Sequence, residues 1–73
     1  MTEDEALAVE LIPSEANHLV RLVTDRRDRT LHKRDAGVSV RAMTSLVAKG
    51  MAEQMEGGWR LTDAGRTRST IIY

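Results

Sequence analysis

Cysteine is absent from the 73 residues. That excludes disulfides, iron–sulfur clusters and thiolate zinc sites, which staple many small domains together. Phenylalanine is absent too, and Trp59 and Tyr73 are the only aromatic residues. The core is therefore expected to be aliphatic, built from Leu, Val, Ile, Met and Ala. No apolar run approaches the roughly 18 residues that a membrane span needs; the longest candidate, Ala6 to Ile12, is broken by Glu10. The opening Met1-Thr2-Glu3-Asp4-Glu5 is acidic, unlike the basic start of a secretory leader. A cytoplasmic protein with no membrane partner is expected.

What is present reads as globular: 41% hydrophobic and 30% charged residues is not the balance of a disordered chain. The length allows one domain. A core in a chain below about 70–80 residues rarely supplies more than roughly 3–5 kcal/mol. Without covalent staples, self-association is the device left, and a homodimer is expected. Its apolar ends, Leu7/Leu11/Ile12 and Ile71/Ile72/Tyr73, are the surfaces to pair.

A net charge of zero hides a split. Glu3, Asp4, Glu5, Glu10 and Glu15 stand in the first fifteen residues with no Lys or Arg, and all eleven basic residues follow. A basic body suits a polyanion. The acidic arm either complements the positive end of a short helix or faces a protein partner.

The pattern divides into an acidic arm or short helix over 1–13, a folded domain over 14–68 and an apolar, β-prone tail over 69–73. In the arm, Thr2 and Glu5 have the spacing of a capping box for a helix reaching Ile12; a short strand Ala8–Ile12 is the competing reading, and Pro13 ends either. Ser14 is a good N-cap for a helix running to about Arg27, with an apolar stripe of Ala16, Leu19, Val20, Leu22 and Val23. His18, Arg21 and Asp25 lie on its opposite face. Thr30-Leu31-His32 reads as a small strand and Asp35-Ala36-Gly37 as a turn. A helix from Ser39 to Lys49 follows, capped by Ser39 and stopped by Gly50. Its apolar stripe is Val40, Met43, Leu46 and Val47. Glu56-Gly57-Gly58-Trp59 is a hairpin turn between Met51–Met55 and Trp59–Leu61. Met55 faces either Arg60 or Trp59 across it, the latter burying more. Thr62-Asp63 caps a last helix to about Arg68. The fold class is α+β, mainly helical: about three helices plus a β-hairpin.

Residues 46–66 read Leu-Val-Ala-Lys-Gly-Met-Ala-Glu-Gln-Met-Glu-Gly-Gly-Trp-Arg-Leu-Thr-Asp-Ala-Gly-Arg. This stretch resembles the end of a winged helix-turn-helix domain of the MarR-like kind, in a reduced form. There a recognition helix closes with Leu-x-x-x-Gly-[Leu/Met], matched by Leu46, Gly50 and Met51. A hairpin wing follows, here tipped by Gly57 and Gly58. Leu-Thr-x-x-Gly-[Arg/Lys] then starts the next helix, matched by Leu61, Thr62, Gly65 and Arg66. Gly37-Val38-Ser39 resembles the step that opens the recognition helix. The detailed match covers about a third of the chain, and residues 14–68 match in outline. Only Leu31 to Ala36 precedes that step, so the family's scaffold helix is reduced to a single turn or a loop.

The resemblance implies a small DNA-binding regulator with helix 39–49 in the major groove of double-stranded DNA. Arg41, Thr44, Ser45 and Lys49 share one helical face, and Ser39 stands at its start. Arg donates two bonds to guanine, and Thr or Ser reaches base edges or phosphate. Lys33, Arg34 and the basic cluster with Arg26, Arg27 and Arg29 are expected at phosphates, with Arg60 on the wing. The alternative is a winged-helix protein-interaction module, of phage or mobile-element origin. The acidic arm and the wing's Glu53 and Glu56 would be its surfaces. Trp59 either anchors the wing to the core or stacks on a base; anchoring is favoured. His18 and His32 have no ligand-spaced partners, and no nucleophile stands with its base. No Gly-rich phosphate loop occurs. Neither enzymatic activity nor a cofactor is expected.

Overall fold

Capping chemistry sets the first helix. In the computed structural model, which describes residues 1–24 and 29–72, α1 (Glu3–Leu7) opens with the Thr2–Glu5 capping box. The Glu5 carboxylate accepts the Thr2 N–H at 2.8 Å, and this bond lowers the Glu5 pKa below its ordinary value. The helix stops at Leu7, and residues 8–12 form neither further helix nor the alternative strand. Two of their carbonyls are taken by basic side chains: Val9 accepts from Arg68 Nε at 2.8 Å and Glu10 from Lys49 Nζ at 2.9 Å. The acidic arm is thus tied down, with Ala6 buried and α1 lying against the last helix.

Helix α2 (Pro13–Thr24) begins two residues earlier than an N-cap at Ser14 implies, with Ser14 inside its first turn rather than capping it. Proline suits that first position because its missing N–H would be unpaired there anyway. The Glu15 carboxylate reaches back to the Ile12 N–H at 3.0 Å. The expected helix end near Arg27, the residues Asp25, Arg26, Arg27 and Asp28, and Tyr73 lie outside the described residues. Strand β1 (Thr30–His32) follows, and then a turn over residues 33–37 held by Asp35. Its carboxylate accepts the His32 N–H at 2.8 Å, and its N–H donates to the His32 carbonyl at 3.0 Å. That turn stands where the sequence predicts a single turn or loop.

Helix α3 (Val40–Ala48) has the expected ends. Ser39 Oγ accepts the Ala42 N–H at 3.2 Å, and Gly50 takes φ +79° just past the C-cap. Met43 and Leu46 are fully buried, as the stripe predicts, but Val40 is 53% exposed and Ala42 is buried in its stead. Val40 lies about 120° round the helix from Leu46, too far to share its face.

Strands β2 (Ala52–Met55) and β3 (Gly58–Leu61) form the hairpin, and β1 pairs antiparallel with the other edge of β3, giving the order β1-β3-β2. Met55 faces Gly58, not Trp59 or Arg60, and Trp59 faces Gln54 and Leu31. The loop is the two residues Glu56 and Gly57, with Gly57 at φ +78°. Gly58 is a strand residue: a Cβ there would sit 2.1 Å from the Leu31 carbonyl oxygen. The close approach of β1 pulls it into the sheet.

Helix α4 (Asp63–Ser69) is joined to the end of α3 through one threonine. Thr62 Oγ1 donates to the Gly50 carbonyl at 2.6 Å and accepts the Gly65 N–H at 3.0 Å, while its own N–H donates to Met51 O at 3.2 Å. A Cβ on Gly65 would meet that Met51 oxygen at 1.9 Å. These contacts are the physical content of the paired Gly-Met and Leu-Thr-x-x-Gly steps.

The core is Leu19, Leu22, Leu31, Met43, Leu46, Met51, Ala52 and Trp59. Trp59 is therefore an anchor of the hairpin, as expected. Among the described residues, no helix is long and apolar enough to cross a membrane.

Candidate nucleic-acid interface

The side chains of α3 divide into three directions. Ala42, Met43 and Leu46 enter the core. Ser45 and Lys49, on one flank, turn toward α2. Val40, Arg41, Thr44 and Ala48 are exposed and share the face opposite the core.

The flank facing α2 is polar and fully engaged. Glu15 is 1% exposed. One carboxylate oxygen accepts from Lys49 Nζ at 2.7 Å and the Ile12 N–H at 3.0 Å, and the other accepts the Ser45 hydroxyl. Burial pushes its pKa up, but the Lys49 ammonium, the Ser45 hydroxyl and the Ile12 N–H outweigh burial and bring it down to about 2. One turn further, His18 Nδ1 lies 2.7 Å from the Ser14 carbonyl and Nε2 lies 2.9 Å from the Ser39 nitrogen. A backbone N–H only donates and a carbonyl only accepts, so Nδ1 carries the proton and Nε2 accepts from Ser39. The start, middle and end of α3 are thereby each fixed to α2.

This placement revises the sequence-predicted set. Arg41 and Thr44 stand on the open face. Ser39 is consumed as a cap, and Ser45 and Lys49 are bound to Glu15. Arg60 is exposed but pairs across the hairpin with Glu53, its register partner. Lys33 and Arg34 are exposed in the turn after β1, where the Lys33 N–H donates to the Gly57 carbonyl at 3.0 Å. They share with His32, Glu56 and Gly57 a shallow depression of about 450 Å³. Among the described residues, no ion pair engages Arg41, Lys33 or Arg34. A second depression, of about 280 Å³, lies between the starts of α2 and α3, lined by Ile12, Glu15, Ser39 and Arg41 among others.

Glu15 and His18 are what sequence reasoning missed. His18 is 7% exposed, not on the solvent face assigned to it. The usable signal was spacing: Glu15, His18, Leu19 and Leu22 fall at i, i+3, i+4 and i+7, a buried stripe with two polar members. Among the described residues, no group of three or more His, Asp or Glu side chains is placed to hold a metal ion. No family model matches the chain, and no curated protein or solved structure matches it either.

Proposed function

We propose that the chain is a reduced MarR-like winged helix-turn-helix domain that binds double-stranded DNA as a small transcriptional regulator, with α3 as recognition helix. The observation that carries this reading is the open face of α3. It bears Arg41 and Thr44, no residue of the helix is acidic, and the helix is braced from behind by Glu15 and His18. Lys33 and Arg34, beside the hairpin tip, supply the phosphate contacts that set register. The strand order β1-β3-β2 and the hairpin after α3 are what a wing requires. A homodimer belongs to the proposal, with exposed Ile12 and Ile71 as the apolar surface it has to cover.

The test is binding to random duplex across a salt titration. Backbone binding gives affinity that falls linearly on a log–log plot with salt, with a slope set by the phosphates neutralised. No salt-dependent affinity near ~50 mM salt overturns the reading. A protein-interaction module is the second reading, favoured by one observation: Ile12 and Val40 are 61% and 53% exposed near the depression between α2 and α3. The acidic face of α1 and Glu56 would then be the surfaces to mutate.

A further inference from the structure

We infer that the open face of α3 reads a guanine flanked by thymines, using Arg41 for the guanine and the methyl groups of Val40, Thr44 and Ala48 for the thymine 5-methyls. The inference rests on the DNA-binding reading and adds to it a base preference.

Chemistry by exclusion leads there. Bidentate recognition of adenine takes Asn or Gln, and cytosine's amino group takes an acceptor such as Asp or Glu. The sequence of α3, Val-Arg-Ala-Met-Thr-Ser-Leu-Val-Ala, has none of these four. Ser45 and Lys49, which would broaden the code, are occupied by Glu15. What points outward is one guanidinium, three methyl-bearing side chains and the Thr44 hydroxyl, which can bond to any base edge and so adds no preference of its own. The guanidinium fork fits guanine O6 and N7. The thymine 5-methyl is the one apolar group on any major-groove edge, and apolar side chains meet it.

Spacing fixes how long the site is. Val40, Thr44 and Ala48 form an i, i+4, i+8 row that rises about 12 Å along the helix. That length spans about three to four base pairs at ~3.4 Å each. Arg41 adjoins both Val40 and Thr44 on the helix surface, so guanine and thymine contacts fall on neighbouring base pairs. Charge supports a nucleic-acid occupant over an apolar protein surface: Arg41 has no acidic partner among the described residues, and Lys33 and Arg34 add positive charge in the turn ahead of α3.

The experiment selects preferred sites from a randomised duplex library with the full chain, then replaces each thymine of the best site by uracil, which removes only the 5-methyl. Selected sites are expected to hold a guanine next to thymine. Each contacted methyl removed should weaken binding about fourfold, the value of one buried methylene group. Replacing the guanine by its 7-deaza analogue should weaken binding further. In Thr44→Ser, which keeps the hydroxyl, thymine and uracil should bind equally at one position of the site. Uracil duplexes binding within twofold of the parent throughout, or selected sites without thymine, overturn this inference; salt-dependent binding to random duplex would still uphold the DNA-binding reading. Loss of all salt-dependent duplex binding by wild type overturns both.

Discussion

Glu15 and Lys49 meet across the α2–α3 seam at 2.7 Å, with the Glu15 side chain 2% exposed and the Lys49 side chain 34%. They are 34 residues apart in sequence, and one end of the pair is partly in water while the other is sealed. The asymmetry matters, because a buried carboxylate that loses its partner has no solvent to fall back on.

Acid should therefore weaken the protein through Glu15. Its folded pKa is about 2, against an ordinary value of 4.5. A depressed carboxyl contributes stability that is fully present above the unfolded value. That stability drains away as pH falls through the window from 4.5 to about 2. Glu15→Gln is expected to be destabilised at neutral pH and to lack this share of the acid transition. Denaturant melts of both proteins from pH 7 to pH 2 should converge toward the acid end; curves that stay parallel would disprove the assignment.

His18 is the second brace. His18→Ala leaves the Ser39 N–H without its acceptor at the start of α3, which is expected to cost about 1–3 kcal/mol. Amide exchange gives a local readout. The Ser39 amide should exchange much faster in the variant, while amides of the β2–β3 hairpin slow or quicken only with global stability. Unchanged protection at Ser39 would mean the imidazole does not hold it.

Neither brace was legible as such. The sequence reading of α2 followed its apolar residues, and a stripe in which Glu15 and His18 take two of four buried places hides from hydrophobic periodicity. Local chemistry was far more readable. Ser39, Gly50 and Thr62 each do their capping within a few residues, so their roles were visible without knowledge of the fold. The hairpin register failed for the opposite reason. Gly58 looks like a turn residue beside Gly57, and only the approach of β1 from nearly thirty residues away makes it a strand residue. Likewise residues 39–49 present a single polar face in sequence, and nothing in them reveals that Glu15 claims Ser45 and Lys49.

The two hairpin glycines should accordingly behave differently. Gly57 is at φ +78° with open space where a Cβ would go, so Gly57→Ala costs only the left-handed backbone, about 1–2 kcal/mol. In Gly58→Ala the new methyl collides with the backbone of Leu31 and His32. Overpacking of a close-packed site costs roughly 1–3 kcal/mol and occasionally more, and here β1 must move. The expected order of melting temperatures is wild type, then Gly57→Ala, then Gly58→Ala. A reversed order would contradict the two-residue turn.

Arg41 and Lys49, the two cations of α3 and its C-cap, should separate binding from folding. Arg41 is exposed and points away from Met43 and Leu46, so Arg41→Ala should leave the melting curve nearly unchanged. If α3 is the recognition helix proposed above, the variant should lose about 1–3 kcal/mol of sequence-specific DNA binding and relax preference at one base pair. On the proposed DNA-binding reading, Lys33→Ala should weaken binding evenly across sequences and lower the salt slope by about one. Lys49→Ala should act on stability instead, because it strands the Glu15 carboxylate. Breaking a fully buried pair costs about 3–5 kcal/mol, and roughly 2–3 is expected here because Lys49 is partly solvated. Calorimetric melts and DNA titrations on the three variants form one experiment. If Lys49→Ala melts like wild type but loses specific binding, the flank facing α2 has been misassigned and Lys49 belongs with Arg41 at the bases.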